Sequence, residues 1–164
     1  MIRVAREDDL EVLQDIERSA GQPFADLGMP EIAGDEPPSL ADLRAYADAG
    51  RAWVFEEDGQ PVAYVIVDLV DGNAHIEQVS VRAESARRGI GRALIEQVAG
   101  WARARGCPAL TLTSFVDVPW NVPYYQRLGF VRMTDIGPEL RAIRAREAAH
   151  GLDRWPRACL RLAL

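Results

Sequence analysis

Two side chains are spaced so that they could move a proton together. His75 and Glu77 lie in Ala74-His75-Ile76-Glu77-Gln78-Val79-Ser80-Val81, a segment that reads as a strand. A spacing of two puts both on one face, with Val79 following. An imidazole with a pKa near ~6.5 accepts a proton at neutral pH. A nearby carboxylate can act through a water or hold a cation electrostatically. The plainer reading of the pair is a polar strand face turned to solvent. The strand then runs into Arg82-Ala83-Glu84-Ser85-Ala86-Arg87-Arg88-Gly89-Ile90-Gly91-Arg92, which turns into an amphipathic helix. A helix start offers N–H groups without intrahelical partners and a partial positive charge, which suits a phosphate. The glycines clear side chains from where a diphosphate would approach the backbone.

Two other phosphate turns are excluded. No Gly-Lys-Ser/Thr tripeptide of a P-loop occurs, and Leu94 stands where a dinucleotide fingerprint needs its third glycine. The glycine spacing therefore speaks against a dinucleotide-binding oxidoreductase. By itself Gly-x-Gly is weak, and a tight turn that binds nothing would look the same.

A second segment, Asn121-Val122-Pro123-Tyr124-Tyr125-Gln126-Arg127-Leu128-Gly129-Phe130, reads as a short helix ending at Gly129 and then a strand. Together, Ala86-Arg87-Arg88-Gly89-Ile90-Gly91 and Tyr125-Gln126-Arg127-Leu128-Gly129-Phe130 resemble the GNAT superfamily of acyl-CoA-dependent N-acyltransferases. The family's turn is (Gln/Arg)-x-x-Gly-x-(Gly/Ala), and its downstream motif is Tyr-x-x-x-Gly-Phe. The resemblance covers nearly the whole chain in order and spacing, with Ala86 departing from the first turn position. It implies an α/β (α+β) GNAT fold: a mixed central sheet of about seven strands flanked by helices, with an additional helix before the last strand.

The same resemblance implies acetyl-CoA (coenzyme A) as co-substrate and no metal. It implies N-acetyl transfer to a primary amine by direct attack, with His75 and Glu77 at positions where the family's bases occur. Tyr125 matches the tyrosine that protonates the departing sulfur, and Tyr124 could exchange roles with it. Arg87, Arg88, Gly89, Ile90, Gly91 and Arg92 would hold the diphosphate. Backbone groups of Val79 and Val81, with Ser80 between them, would pair with pantetheine. Asn121 would touch the same arm or cap its helix. Acyl transfer needs a neutral amine, donors for the oxyanion and a proton for the thiolate, whose parent thiol has a pKa near ~8.5. A phenol with a pKa near ~10 is a protonated donor at pH 7. A competing reading is a non-catalytic acyl-CoA-binding sensor or assembly module.

The 164 residues suggest one domain, residues 1–164, with 48% hydrophobic and 27% charged residues. A net charge of −6 argues against non-specific nucleic-acid binding. All 19 basic residues are arginine, so the protein has no lysine of its own to acylate. Locally the sign reverses: Arg82, Arg87, Arg88, Arg92, Arg103 and Arg105 face only Glu84 and Glu96 over residues 82–105, which suits an anionic cofactor. Cys107 and Cys159 are too few and too far apart for a disulfide framework or metal site. No apolar run is long enough to span a bilayer, and the first residues carry no signal-peptide core, so a cytoplasmic protein, monomer or homodimer, is expected. Loop residues Asp26, Glu31, Asp35 and Glu36 could form an acidic mouth for a cationic amine, with Phe24, Trp53, Phe115, Asp117 and Trp120 as further lining. The acceptor could equally be a small molecule or a protein N-terminus.

Periodicity and turn signals predict strands at 2–4, 52–56, 61–70, 74–81, 109–114, 130–135 and 157–164. Helices are predicted after an Asp8-x-x-Glu11 capping box, after a Ser39 cap, over 89–105, near 122–128 and from Pro138 to about His150. Residues 21–38 read as a loop.

Overall fold

The strand and helix patterns condense into one seven-stranded sheet in the order β1-β2-β3-β4-β5-β7-β6. The computed structural model describes all 164 residues. Its strands are β1 (Ile2–Val4), β2 (Ala52–Glu57), β3 (Gln60–Val70), β4 (Asn73–Val81), β5 (Ala109–Phe115), β6 (Val131–Arg132) and β7 (Arg157–Ala163). Its helices are α1 (Leu10–Gly21), α2 (Pro30–Ala33), α3 (Leu40–Asp48), α4 (Ile90–Ala104), α5 (Val122–Arg127) and α6 (Pro138–Ala149). The first two strand pairs are antiparallel, β4 and β5 are parallel, and β7 lies antiparallel between β5 and β6. This is the expected mixed sheet, and α6 is the expected helix before the last strand.

The chain divides into two compact units, Met1–Val67 with Gln78–Gln97, and Asp68–Glu77 with Val98–Leu164. In the first, Leu10, Leu13 and Ile16 recur at helical spacing on α1 and pack with Leu43 of α3 against Val54, Tyr64 and Ile66 of the sheet. Each such side chain contributes about 1.5–3 kcal/mol by leaving water. Ser39 caps α3 as its sequence predicts, its Oγ accepting from the Asp42 amide at 3.1 Å. The box predicted at Asp8 and Glu11 does not form. The helix instead follows a 3-10 turn at Glu7–Asp9, and Asp9 accepts from the Arg6 amide at 2.7 Å. Asp9 is also gripped by Arg3 at 2.7 Å, which fixes the helix entry from β1 rather than from within the helix.

In the second unit β5 is buried on both faces, as its Ala109-Leu-Thr-Leu-Thr-Ser-Phe115 sequence suggests. Leu140 and Ile143 of α6 pack on Val70 and Cys159. Asp71, in the β3–β4 turn, accepts the Glu139 and Leu140 amides at 2.9 Å each, while Glu139 Oε1 accepts the Asp71 amide at 2.6 Å. A capping box is thus closed across 68 residues of chain. The predicted strand 130–135 contracts to Val131–Arg132, and the loop 21–38 contains a 3-10 segment, Gln22–Leu27, besides α2. No helix is long and apolar enough to cross a membrane.

Candidate active site

In the second unit, β4 meets β5 with Ala74 opposite Leu110 and His75 opposite Thr111. His75 is 1% exposed, and its Nδ1 shares a 2.9 Å hydrogen bond with Thr111 Oγ1. Its Nε2 lies 3.8 Å from Glu77 Oε2, so the two side chains do share a face. The Glu77 side chain is 43% exposed. The plain solvent-facing strand is therefore wrong for half of the pair: His75 is interior and Glu77 presents the accessible carboxyl. Burial lowers the proton affinity of His75, against the opposing pull of Asp68, Glu147 and Asp71. Burial together with the charges of Asp68 and Glu147 pushes the Glu77 carboxyl up from 4.5 to about 7, against Arg146 and Arg157. Such a carboxyl exchanges a proton near neutral pH and still reaches solvent.

Tyr125 sits in the same unit on α5, 8% exposed. Its ring meets Tyr124 and Phe130 edge-on, with centroids 5.4 and 5.8 Å away. Its amide donates to the Asn121 carbonyl at 3.0 Å and its own carbonyl accepts the Phe130 amide at 3.1 Å. The turn through Gly129, at φ +107°, is what brings Phe130 back onto the Tyr125 ring. Asn121 does not cap α5 with its side chain; its Nδ2 donates to the Trp120 carbonyl at 3.2 Å.

The glycine turn belongs to the first unit. Arg82 donates its amide to the Val62 carbonyl at 2.9 Å, and Ala83 donates to Ser19 Oγ at 3.0 Å, so β3 and α1 pin the approach to the turn. Arg87 and Gly89 have positive φ, and α4 begins at Ile90. A Cβ built at Gly89 meets no other group within 4 Å, so the positive φ rather than crowding is what favours glycine there. The basic island is less free than its composition suggests. Arg88 pairs with Glu57 at 2.8 Å and Arg92 with Glu96 at 3.1 Å, although both arginines are largely exposed.

Ser80, named beside Val79 and Val81 for the cofactor, is buried. Its hydroxyl donates to Glu17 and accepts from Gln78 Nε2 at 2.9 Å. Tyr64 also donates to Glu17, at 3.3 Å, and desolvation raises the proton affinity of that carboxyl. Sequence reasoning missed Glu17 and, in the other unit, Glu147. Both carry the same signal: a glutamate in line with the apolar stripe of its helix, after Leu10 and Leu13 in α1 and after Leu140 and Ile143 in α6.

Several solved structures share this architecture. The PaiA N-acetyltransferase of Thermoplasma acidophilum, in complex with coenzyme A, superposes with a TM-score of 0.73 at 12% identity, over 100% of this chain and 98% of that one. Ard1 of Thermoplasma volcanium gives 0.73 at 15% identity, over 100% and 97%. The ribosomal-protein-S18-alanine N-acetyltransferase of Escherichia coli gives 0.70 at 19% identity, over 99% and 92%. These likenesses show the fold. The sequence itself goes further, since residues 11–130 match the model of the acetyltransferase (GNAT) family. The span holds the glycine turn, the His75/Glu77 strand and the Tyr125 motif together, and the chain belongs to that family of acetyl-CoA-dependent transferases.

Proposed function

We propose that this protein moves the acetyl group of acetyl-CoA to a primary amine by direct attack, with Glu77 as general base and Tyr125 as general acid. Residues 1–164 act as one acetyltransferase domain in this reading. The observation that carries it is the Glu77 carboxyl, solvent-reaching and raised to about 7 beside a buried histidine. The amine nitrogen forms a bond to the thioester carbon while its proton passes to Glu77. The C–S bond then breaks and the thiolate takes the proton of the Tyr125 hydroxyl, which solvent later replaces. His75, 1% exposed, does not take the amine's proton directly in this reading; it lies behind Glu77, 3.8 Å from its carboxyl.

Backbone amides of residues 87–92 would receive the diphosphate, and the backbone of Val79 and Val81 would pair with the pantetheine amides as an added strand does. Ser80 would brace that segment through Glu17 rather than touch the cofactor. Asn121 and Tyr124 would contact the same arm. The acceptor is a small amine or a protein N-terminus.

An amine panel, followed by release of free CoA thiol, tests the activity and separates it from mere acyl-CoA binding. With an accepted amine, Glu77→Gln should lower kcat/KM about 10²-fold or more near neutral pH and remove the ionisation near 7 from the acid limb of its pH profile, leaving only the amine's own. A variant with the wild-type rate and limb would show that the base lies elsewhere.

A further inference from the structure

Thr111 and Thr113 alternate along β5 and so project to one side of it. Thr111 holds His75, which in turn lies beside Glu77. Two residues further on, Thr113 Oγ1 donates to Glu147 Oε2 at 2.5 Å. Glu147 belongs to α6, beyond the residues 11–130 that define the family match. Its carboxylate is 17% exposed, and both oxygens are engaged. Arg144 Nη1 donates to Oε1 at 2.7 Å. Arg157 Nη2 donates to Oε2 at 3.2 Å and to Thr113 at 3.0 Å, and its Nε reaches Oε1 at 3.4 Å. Arg157 is itself held over the Phe115 ring, 4.4 Å from the centroid, and Arg144 is held by Asp153 at 2.8 Å. Hydrogen bonds from two guanidinium groups and a hydroxyl fix the position of this carboxylate.

We propose that Glu147 is a positioning residue for proton transfer at Glu77: locked to Thr113 and Arg157, two residues along β5 from the Thr111 that holds His75, it flanks the His75/Glu77 face and governs how readily Glu77 takes the amine's proton. The inference rests on Glu77 being the base. The titratable and charged groups about His75 and Glu77 come from several elements: Asp68 on β3, Asp71 in the turn after it, Arg146 and Glu147 on α6, and Arg157 on β7, with Arg161 opposite Thr111. The β5 residues on that side, Thr111 and Thr113, are neutral hydroxyls. Asp68 and Glu147 oppose ionisation of Glu77, while Arg146 and Arg157 favour it. Removing the Glu147 charge takes away one of the two anions that oppose ionisation and leaves Arg146 and Arg157 to favour it.

The test is kcat/KM against pH for the wild type, Glu77→Gln, Glu147→Gln, Glu147→Asp and the Glu77→Gln/Glu147→Gln double variant, with thermal melts of each. Glu147→Gln should move the acid limb to lower pH by roughly half to one unit and lower the plateau severalfold, since a weaker base accepts the proton less readily. Glu147→Asp keeps the charge and should keep the limb even if it melts earlier. In the double variant the Glu77 ionisation is already gone, and Glu147→Gln should add no shift to what remains. If Glu77→Gln retains the ionisation near 7, the base assignment itself is wrong. If Glu77→Gln removes it and Glu147→Gln leaves it unmoved, the base stands and the role of Glu147 is overturned. Should Glu147→Gln fail to fold, Arg157→Gln leaves Glu147 in place with one fewer of the cations that favour ionisation of Glu77. It must then move the limb upward, and an unmoved limb overturns the proposal.

Discussion

Near the start of the chain, Asp9 is 8% exposed and meets the Arg3 guanidinium through two hydrogen bonds, at 2.7 and 2.9 Å. Arg3 reaches Glu56 with its third nitrogen, at 2.8 Å. On β4, Glu77 is more exposed and has an imidazole 3.8 Å away. The hydrogen bond from Arg3 holds Asp9 below the ordinary carboxyl range, although burial opposes it. Burial pushes Glu77 above that range, with neighbouring carboxylates adding to it. Two acidic residues in one small protein are thus tuned in opposite directions, and exposure does not decide which. A forked cation with matched geometry keeps a carboxylate charged and silent, and the clamp joins β1, β2 and the entry to α1. A carboxyl with like-charged neighbours and no such fork is left able to exchange protons.

The contrast breaks most visibly if chemistry and stability fail to separate. Tyr125→Phe removes only a hydroxyl from a ring that stays packed on Phe130. Turnover should fall by about 10²-fold or somewhat less, with acetyl-CoA affinity and melting temperature nearly unchanged. Wild-type turnover under conditions where chemistry limits the rate would pass the role to Tyr124. Asp9→Asn should do the reverse. It strands part of the Arg3 guanidinium and removes a shielded ion pair, for a loss of about 2–3 kcal/mol in denaturant unfolding, with kcat/KM of the remaining folded protein unchanged.

The smallest effect is in the pH dependence of stability, and its two signs are opposite. The folded-state pKa of Asp9 is depressed, so its contribution is present above its ordinary value of 3.8 and is lost as the pH falls further. The folded-state pKa of Glu77 is raised, so the folded protein binds more protons than the unfolded chain between pH 4.5 and about 7. Relative to Glu77→Gln, wild-type stability should therefore decline as the pH rises through that window. Solvent access to the Glu77 side chain keeps the decline modest. Parallel melting curves for the two proteins at every pH would contradict a raised Glu77.

Long, strongly patterned elements are the legible part of this sequence. The amphipathic α4 and β5, built of small, apolar and β-branched residues, declare themselves because each satisfies its pattern locally. The entry to α1 does not. Asp8 and Glu11 fit a capping box, but Arg3 competes for the neighbouring Asp9 from another strand, and the chain takes a 3-10 turn instead. Residues 22–33 hold short helical pieces closed by backbone bonds such as Met29 to Phe24 at 3.1 Å, too brief to leave a periodic signal. At the site, spacing alone puts His75 and Glu77 on one face. Which of them is interior depends on Thr111, 36 residues away, and the setting of Glu77 depends on α6. Contacts at that range leave no mark on local spacing beyond a single glutamate in line with an apolar stripe.

The clamp between the β3–β4 turn and α6 bears on the order in which the molecule assembles. A Cβ at Gly137 would lie 2.6 Å from Asp71 Cγ, so the turn carboxylate occupies the place of a side chain at the helix start. Helix nucleation is unfavourable when the first amides lack acceptors, and the acceptors for Glu139 and Leu140 come from a turn closed much earlier in the chain. The first turn of α6 therefore gains its cap only after the hairpin has formed and a long loop has been closed. Amide protons at that end of the helix would become protected late in refolding, and Glu147, two turns further along the same helix, would reach Thr113 only after the hairpin has formed.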